Sequence, residues 1–192
     1  MKKKQKSIVT LSALPVRAMT DKQTQVRLGW DKRALRSRIE FALSLCCERP
    51  VVFHIEFVDA LQIATLNWQF RGKDSPTDVL SFPPNAELVR PHQVQEPENL
   101  GELAVCIDVC LEQARKHKIT PAQEVEKMIL HGLVHLKGFD HERSDSAHAV
   151  MTSLERSIRN QVVEHFGAPD FCVPVMGDRA KKSNKATAKG SK

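Results

Sequence analysis

At 192 residues, with 41% hydrophobic and 27% charged side chains, the chain is long enough to bury a real core and reads as one soluble globular domain with tails. The formal net charge of +6 is uneven: residues 1–6 carry +4 and residues 177–192 carry +5, which leaves about −3 on everything between. The basicity therefore lies in the tails. The basic ends serve either a sequence-independent attraction to phosphate or only their own solvation. No apolar run approaches the roughly 20 residues needed to cross a bilayer. Met1–Lys6 followed by mildly apolar residues has the outline of a secretory signal. However, Ser7, Thr10, Ser12 and Pro15 interrupt it, and no small-x-small cleavage site follows. The five cysteines (Cys46, Cys47, Cys106, Cys110 and Cys172) are odd in number and contain no C-x-x-C pair. They are not a disulfide framework and suit a reducing compartment, so the expected location is cytoplasmic. The division expected is an extension over 1–23, partly disordered, a domain over 24–176, and a basic disordered tail over 177–192.

In chain order, residues 24–30 alternate apolar and polar and predict a short strand. Asp31 caps a helix over about 32–47, with Leu35, Ile39, Phe41, Ala42 and Leu45 at helical spacing. Residues 51–58 are the clearest strand, with Val51, Phe53, Ile55 and Phe57 on one face. His54 falls on the other face beside Glu56 and reads as a surface histidine. Asp59 caps a helix over about 60–69, Gly72–Pro76 is a loop, and Val79–Phe82 enters a sheet. Residues 83–100 hold four prolines without periodicity and read as a mobile loop. Glu102–Asp108 is a further strand, followed by a short helix over 109–118. Cys106 and Cys110 straddle that junction as buried free thiols. Thr120, Pro121 and Gln123 form a capping box with proline at the first helical position, so a helix runs from 121 to about 137. Its buried side carries Val125, Met128, Ile129, Gly132 and Leu136. A last helix over about 145–166 carries Val150, Met151, Leu154, Ile158 and Val162, with Gly167 as its cap; His148 and His165, on or near it, are not expected to be ligands.

Chemistry concentrates in residues 131–141, His-Gly-Leu-Val-His-Leu-Lys-Gly-Phe-Asp-His. His131 and His135 are one helical turn apart and share a face at the edge of the core. Gly138 can adopt φ > 0, end the helix and turn His141 back toward them. Three converging imidazoles suit zinc and leave a fourth position open, which is the catalytic rather than the structural arrangement. The same spacing occurs in metallopeptidases, where a glutamate after the first histidine is the general base. Here that position is Gly132, so a peptidase reading keeps the metal and loses its base.

Two stretches together carry a resemblance to a known family. One is Asn67 with Arg71-Gly72-Lys73-Asp74-x-Pro76-Thr77-Asp78-Val79-Leu80-Ser81-Phe82-Pro83. The other is His131-Gly132-x-x-His135-Leu136-x-Gly138-x-Asp140-His141. From about residue 51 to 167 the chain resembles the YbeY family of endoribonucleases of ribosomal RNA maturation. It departs from the usual pattern at Glu102, where aspartate is common, and at Val134, where leucine is. The resemblance implies an α+β single domain: a mixed β-sheet packed with helices, with a zincin-like histidine helix lining a cleft. It implies one Zn2+ per chain on His131, His135 and His141. It further implies a single-strand-specific endoribonuclease acting at the 16S rRNA 3′ end and in ribosome quality control. The partners implied are ribosomal RNA and the small ribosomal subunit with its assembly factors, with neither membrane nor DNA.

On residue type alone, Arg71 reads as a solvated loop arginine. The resemblance makes it the arginine that serves catalysis and substrate binding, by stabilising charge on a phosphate. Lys73 adds phosphate attraction as a second substrate-binding residue. The general base stays open among Asp140, Glu142 and the substrate's own 2′-hydroxyl, with Asp140 equally suited to orienting a ligand histidine. Two rival classes remain. One is a non-catalytic ribosome-assembly factor with a structural zinc, and the other is a metallopeptidase lacking the usual glutamate.

Overall fold

The computed structural model describes residues 6–14, 17–21, 24–84, 97–139 and 145–175. In chain order these form β1 (Ile8–Ser12), β2 (Arg17–Asp21), β3 (Thr24–Trp30), α1 (Lys32–Cys46), β4 (Val51–Val58), α2 (Ala60–Arg71), β5 (Val79–Phe82), β6 (Glu98–Cys106), α3 (Ile107–His117), α4 (Pro121–Leu136), α5 (Asp145–Phe166) and β7 (Cys172–Val175). Of the loop expected over 83–100, residues 85–96 lie outside the described residues, as does the basic tail. No helix among those described is long and apolar enough to cross a membrane.

The main sheet has the order β1-β4-β6-β5. β1 and β6 flank β4 in parallel, and β5 closes the edge antiparallel to β6, so the sheet is mixed. Side chains alternate across it, as period two requires. Phe53, Ile55, Leu103 and Val105 face a large core shared with Val125, Ile129 and Leu133 of α4. Val58, Leu80, Ala104 and Cys106 face the other way, onto a smaller core with Ile63 of α2. The sheet therefore separates α4 from α2, and β5 and β6 touch both helices. A second antiparallel sheet, β2-β3-β7, stands beside it.

The helices begin where the capping residues dictate. Asp31 Oδ1 accepts the N–H groups of Arg33 (3.0 Å) and Ala34 (2.9 Å). Asp59 with Gln62, and Thr120 with Gln123, form reciprocal capping boxes. A buried ion pair joins α1 to α4: the Arg38 guanidinium binds the Glu126 carboxylate and also donates to the Gly167 carbonyl at 3.0 Å.

Several expectations need correction. Ile8–Ser12 lies in the stretch set apart as an extension, yet it is an edge strand of the main sheet, pairing Val9 with Phe53. β2 and β7 were not expected either. β6 starts at Glu98 rather than Glu102, because Gly101 (φ +112) continues the strand through an irregularity in its pairing with β4. α3 correspondingly starts at Ile107. Val150 is 54% exposed, so the buried face of α5 is Met151, Ile158 and Val162.

Candidate active site

α4 owes its position to its own residues. Its first turn is fixed by the Thr120–Gln123 box and by Pro121. Its length is clamped by a face of buried residues that includes Ala122, Val125, Ile129 and Leu133. Gly132 belongs to that face, and a Cβ there would lie 2.6 and 2.9 Å from the Leu103 methyls and 3.2 Å from Ser81 Oγ. The helix consequently lies flat on β5 and β6 and presents His131 and His135, both half-buried, at its open edge. It stops at Gly138 (φ +86), as the sequence predicts, with the Gly138 N–H donating to the His135 carbonyl at 2.8 Å.

The two imidazoles meet edge to face, with Nε2 atoms 3.2 Å apart. Two ligands at ~2.0–2.1 Å on a tetrahedral zinc are separated by roughly 3.3 Å, so these two nitrogens have the spacing of a zinc-binding pair. His141, the third ligand expected, lies outside the described residues together with Asp140 and Glu142. Among the described residues no group of three metal-binding side chains converges.

The histidines line one wall of a cleft of about 700 Å³. The rest of the lining includes Phe70 and Arg71 at the end of α2, Thr77 and Asp78 just before β5, and Ser81 and Phe82 of β5. Arg71 is the last residue of α2 and is exposed at the cleft. Behind it Gly72 takes the left-handed conformation (φ +65) and caps the helix through its N–H on the Trp68 carbonyl. Buried Asn67 then ties down the loop, its Nδ2 donating to the Ser75 carbonyl at 2.7 Å. Phe70 and Phe82 pack edge to face, 5.1 Å between ring centroids, and fix the end of α2 against β5. Lys73, exposed in this loop, is not part of the cleft lining.

Asp78 contributes a carboxylate to the cleft wall, but both its oxygens are engaged. Oδ1 accepts from Val79 N–H (2.8 Å) and Thr77 Oγ1 (3.2 Å), and Oδ2 accepts from Gln113 Nε2 (3.0 Å). One further side chain at the site was missed in the sequence. Glu155 of α5 places Oε2 3.2 Å from His131 Nδ1. Its signal was an acid on the apolar stripe of α5, one turn from Met151 and one from Ile158.

Fold and cleft together define an α+β protein with imidazoles and an arginine gathered at one end of a mixed sheet. The family model described as Endoribonuclease YbeY matches residues 18–163. A relative of that name from Persephonella marina is 32% identical over 135 residues, which is 70% of this chain and 86% of the relative. One from Acinetobacter baumannii is 42% identical over 105 residues, 54% of this chain and 65% of the relative. The match to the Bdellovibrio bacteriovorus protein of that name, 37% identical, spans 59% of that relative. The solution structure of TM1509 from Thermotoga maritima superimposes with a TM-score of 0.50 at 30% identity, over 72% of this chain and 88% of that one. The chain belongs to the endoribonuclease YbeY family, and that membership classes it with the hydrolytic nucleases.

Proposed function

We propose that the protein is a zinc-dependent, single-strand-specific endoribonuclease that acts in ribosomal RNA maturation, at the 16S rRNA 3′ end, and in ribosome quality control. The observation that carries this reading is the pair of Nε2 atoms 3.2 Å apart, set in the same cleft as Arg71. In this reading His131, His135 and His141 hold one zinc ion, and α4 is a zincin-like helix. Zinc supplies Lewis acidity toward a phosphoryl oxygen and acidifies water.

The chain's own residues supply the rest. The Arg71 guanidinium binds a phosphate and counters the charge that grows on it as the scissile bond breaks. Asn67 and Gly72 fix the end of α2, where Arg71 sits, and the loop that follows. Lys73, outside the lining, adds attraction for a neighbouring phosphate. The substrate is ribosomal RNA within the small subunit and among its assembly factors, and the setting is cytoplasmic. A peptidase is disfavoured, because the position of its usual glutamate is Gly132, packed against Leu103 and Ser81.

The test is cleavage of single-stranded ribosomal RNA fragments by the purified protein beside His131→Ala and Arg71→Ala, prepared identically, with zinc content measured on each. Cutting by the wild type alone, with zinc lost only from His131→Ala, is the expected result. Equal cutting by all three would mean contamination and would favour a non-catalytic assembly factor.

A further inference from the structure

We propose that Glu155 is the positioning residue of the metal centre, holding His131 in the tautomer whose Nε2 keeps its lone pair for zinc. This rests on His131 being a zinc ligand, as argued above. A neutral imidazole has one N–H and one lone pair, and a neighbouring acceptor decides which nitrogen carries which. Glu155 Oε2 lies 3.2 Å from His131 Nδ1. A carboxylate only accepts, so Nδ1 carries the hydrogen and donates it. Nε2 is thereby left with its lone pair, on the side where His135 Nε2 approaches to 3.2 Å. The same bond fixes the ring plane.

The choice of partner is notable because Glu155 has cations at hand. It lines a pocket of about 160 Å³ whose wall includes Lys127, Arg156 and Arg159. Its hydrogen bond nonetheless runs to the histidine, and Lys127 is engaged by Glu124 at 2.9 Å. The contact also joins two elements. α5 packs on α4, so zinc affinity becomes sensitive to how these helices dock.

The experiment is a zinc titration against a chromogenic chelator, on full-length wild type, Glu155→Ala, Glu155→Gln and His131→Ala. Thermal unfolding with chelator present checks that each folds, and nitrogen-15 shifts of His131 are read in the zinc-free protein. Glu155→Ala should bind zinc about 10- to 100-fold more weakly. Zinc-free Glu155→Ala should also lose the Nδ1–H tautomer preference. Glu155→Gln, whose amide oxygen still accepts the hydrogen, should recover most of both. If Glu155→Ala changes only the unfolding temperature, while His131→Ala abolishes zinc binding, Glu155 is structural and the proposal fails alone. If His131→Ala leaves zinc binding unchanged, the metal-centre reading itself falls and takes this proposal with it.

Discussion

Gly132→Ala should destabilise the protein even though alanine is the better helix former. Inside a helix, alanine is favoured over glycine by about 0.8–1.0 kcal/mol. Here the added methyl would meet both Leu103 methyls at 2.6 and 2.9 Å and Ser81 Oγ at 3.2 Å. Leu103 is 1% exposed and has nowhere to swing, so the clash is carried by α4 and the sheet together. Overpacking of this kind costs about 1–3 kcal/mol, so the net change runs from near zero to about 2 kcal/mol. A chain of this length loses roughly 2–4 °C in Tm per kcal/mol. Because the two effects oppose each other, the decisive measurement is a double-mutant cycle by denaturant unfolding. Leu103→Ala alone costs about 2–5 kcal/mol, but it removes the colliding methyls. In that background Gly132→Ala should stabilise, by up to about 1 kcal/mol. The contrast between the two backgrounds is the overpacking itself. Equal effects of Gly132→Ala in both would refute the close packing of α4 on β6.

Other outcomes follow from single contacts. Arg38→Met should cost about 3–5 kcal/mol by denaturant unfolding, because it strands the Glu126 carboxylate in the core, whereas Arg38→Met with Glu126→Met should lie much closer to wild type. Cys47 should be the fastest thiol to alkylate. The hydrogen bond from Cys46, helped by the charge of Lys137, lowers its pKa to about 7 against the opposing effect of burial. Since the thiolate is the nucleophile, its rate should climb with pH, reach half its maximum near pH 7 and then level off, and Cys46→Ala should move that rise to higher pH. Burial pushes Cys106 up to about 11 and Cys172 up to about 12, so both should stay unreactive until the protein unfolds. Gly132→Glu should restore the peptidase pattern on paper and yet give a poorly folded protein without activity on a casein substrate. A stable Gly132→Glu protein that cuts casein would show that residue 132 reaches the cleft.

What was legible in the sequence was what local chemistry determines. Asp31, Asp59 and Thr120 announce helix starts because a side-chain oxygen there satisfies amides only two or three residues away. β4 was legible because four apolar residues alternate on one face. The strands missed are those whose reason lies in a distant partner. β1 is an edge strand that becomes one by pairing with β4, more than 40 residues on, and its Ser and Thr content hid it. β7 has four residues, including Pro174 opposite Leu28, too few to show a period. The candidate site divides in the same way. The spacing of His131 and His135 alone puts them on one helix face, whereas Arg71 is singled out only by the family resemblance of the stretch around it. Glu155 meets His131 only through the docking of α5 on α4: its place on the apolar stripe of α5 marks an inward-facing acid, but no spacing within the chain names its partner.

The burial of α4 also explains which chemistry each wall can hold. A helix packed against a sheet, and against α3 and α5, has one narrow edge left for the cleft. With 3.6 residues per turn, that edge takes positions four apart, and His131 and His135 occupy them. The residue after the first histidine is rotated by about 100° and falls on the sheet, where even a methyl does not fit. The described part of α4 thus offers the cleft imidazoles and no carboxylate, while Asp78, also in the lining, is consumed by Val79, Thr77 and Gln113. Arg71 gives the cleft a cation. A peptide carbonyl arrives neutral, whereas a phosphodiester arrives charged and gathers more charge as the bond breaks, so the cation favours it before the reaction as well as during it, and the same packing that removes the peptidase base suits the cleft to phosphate.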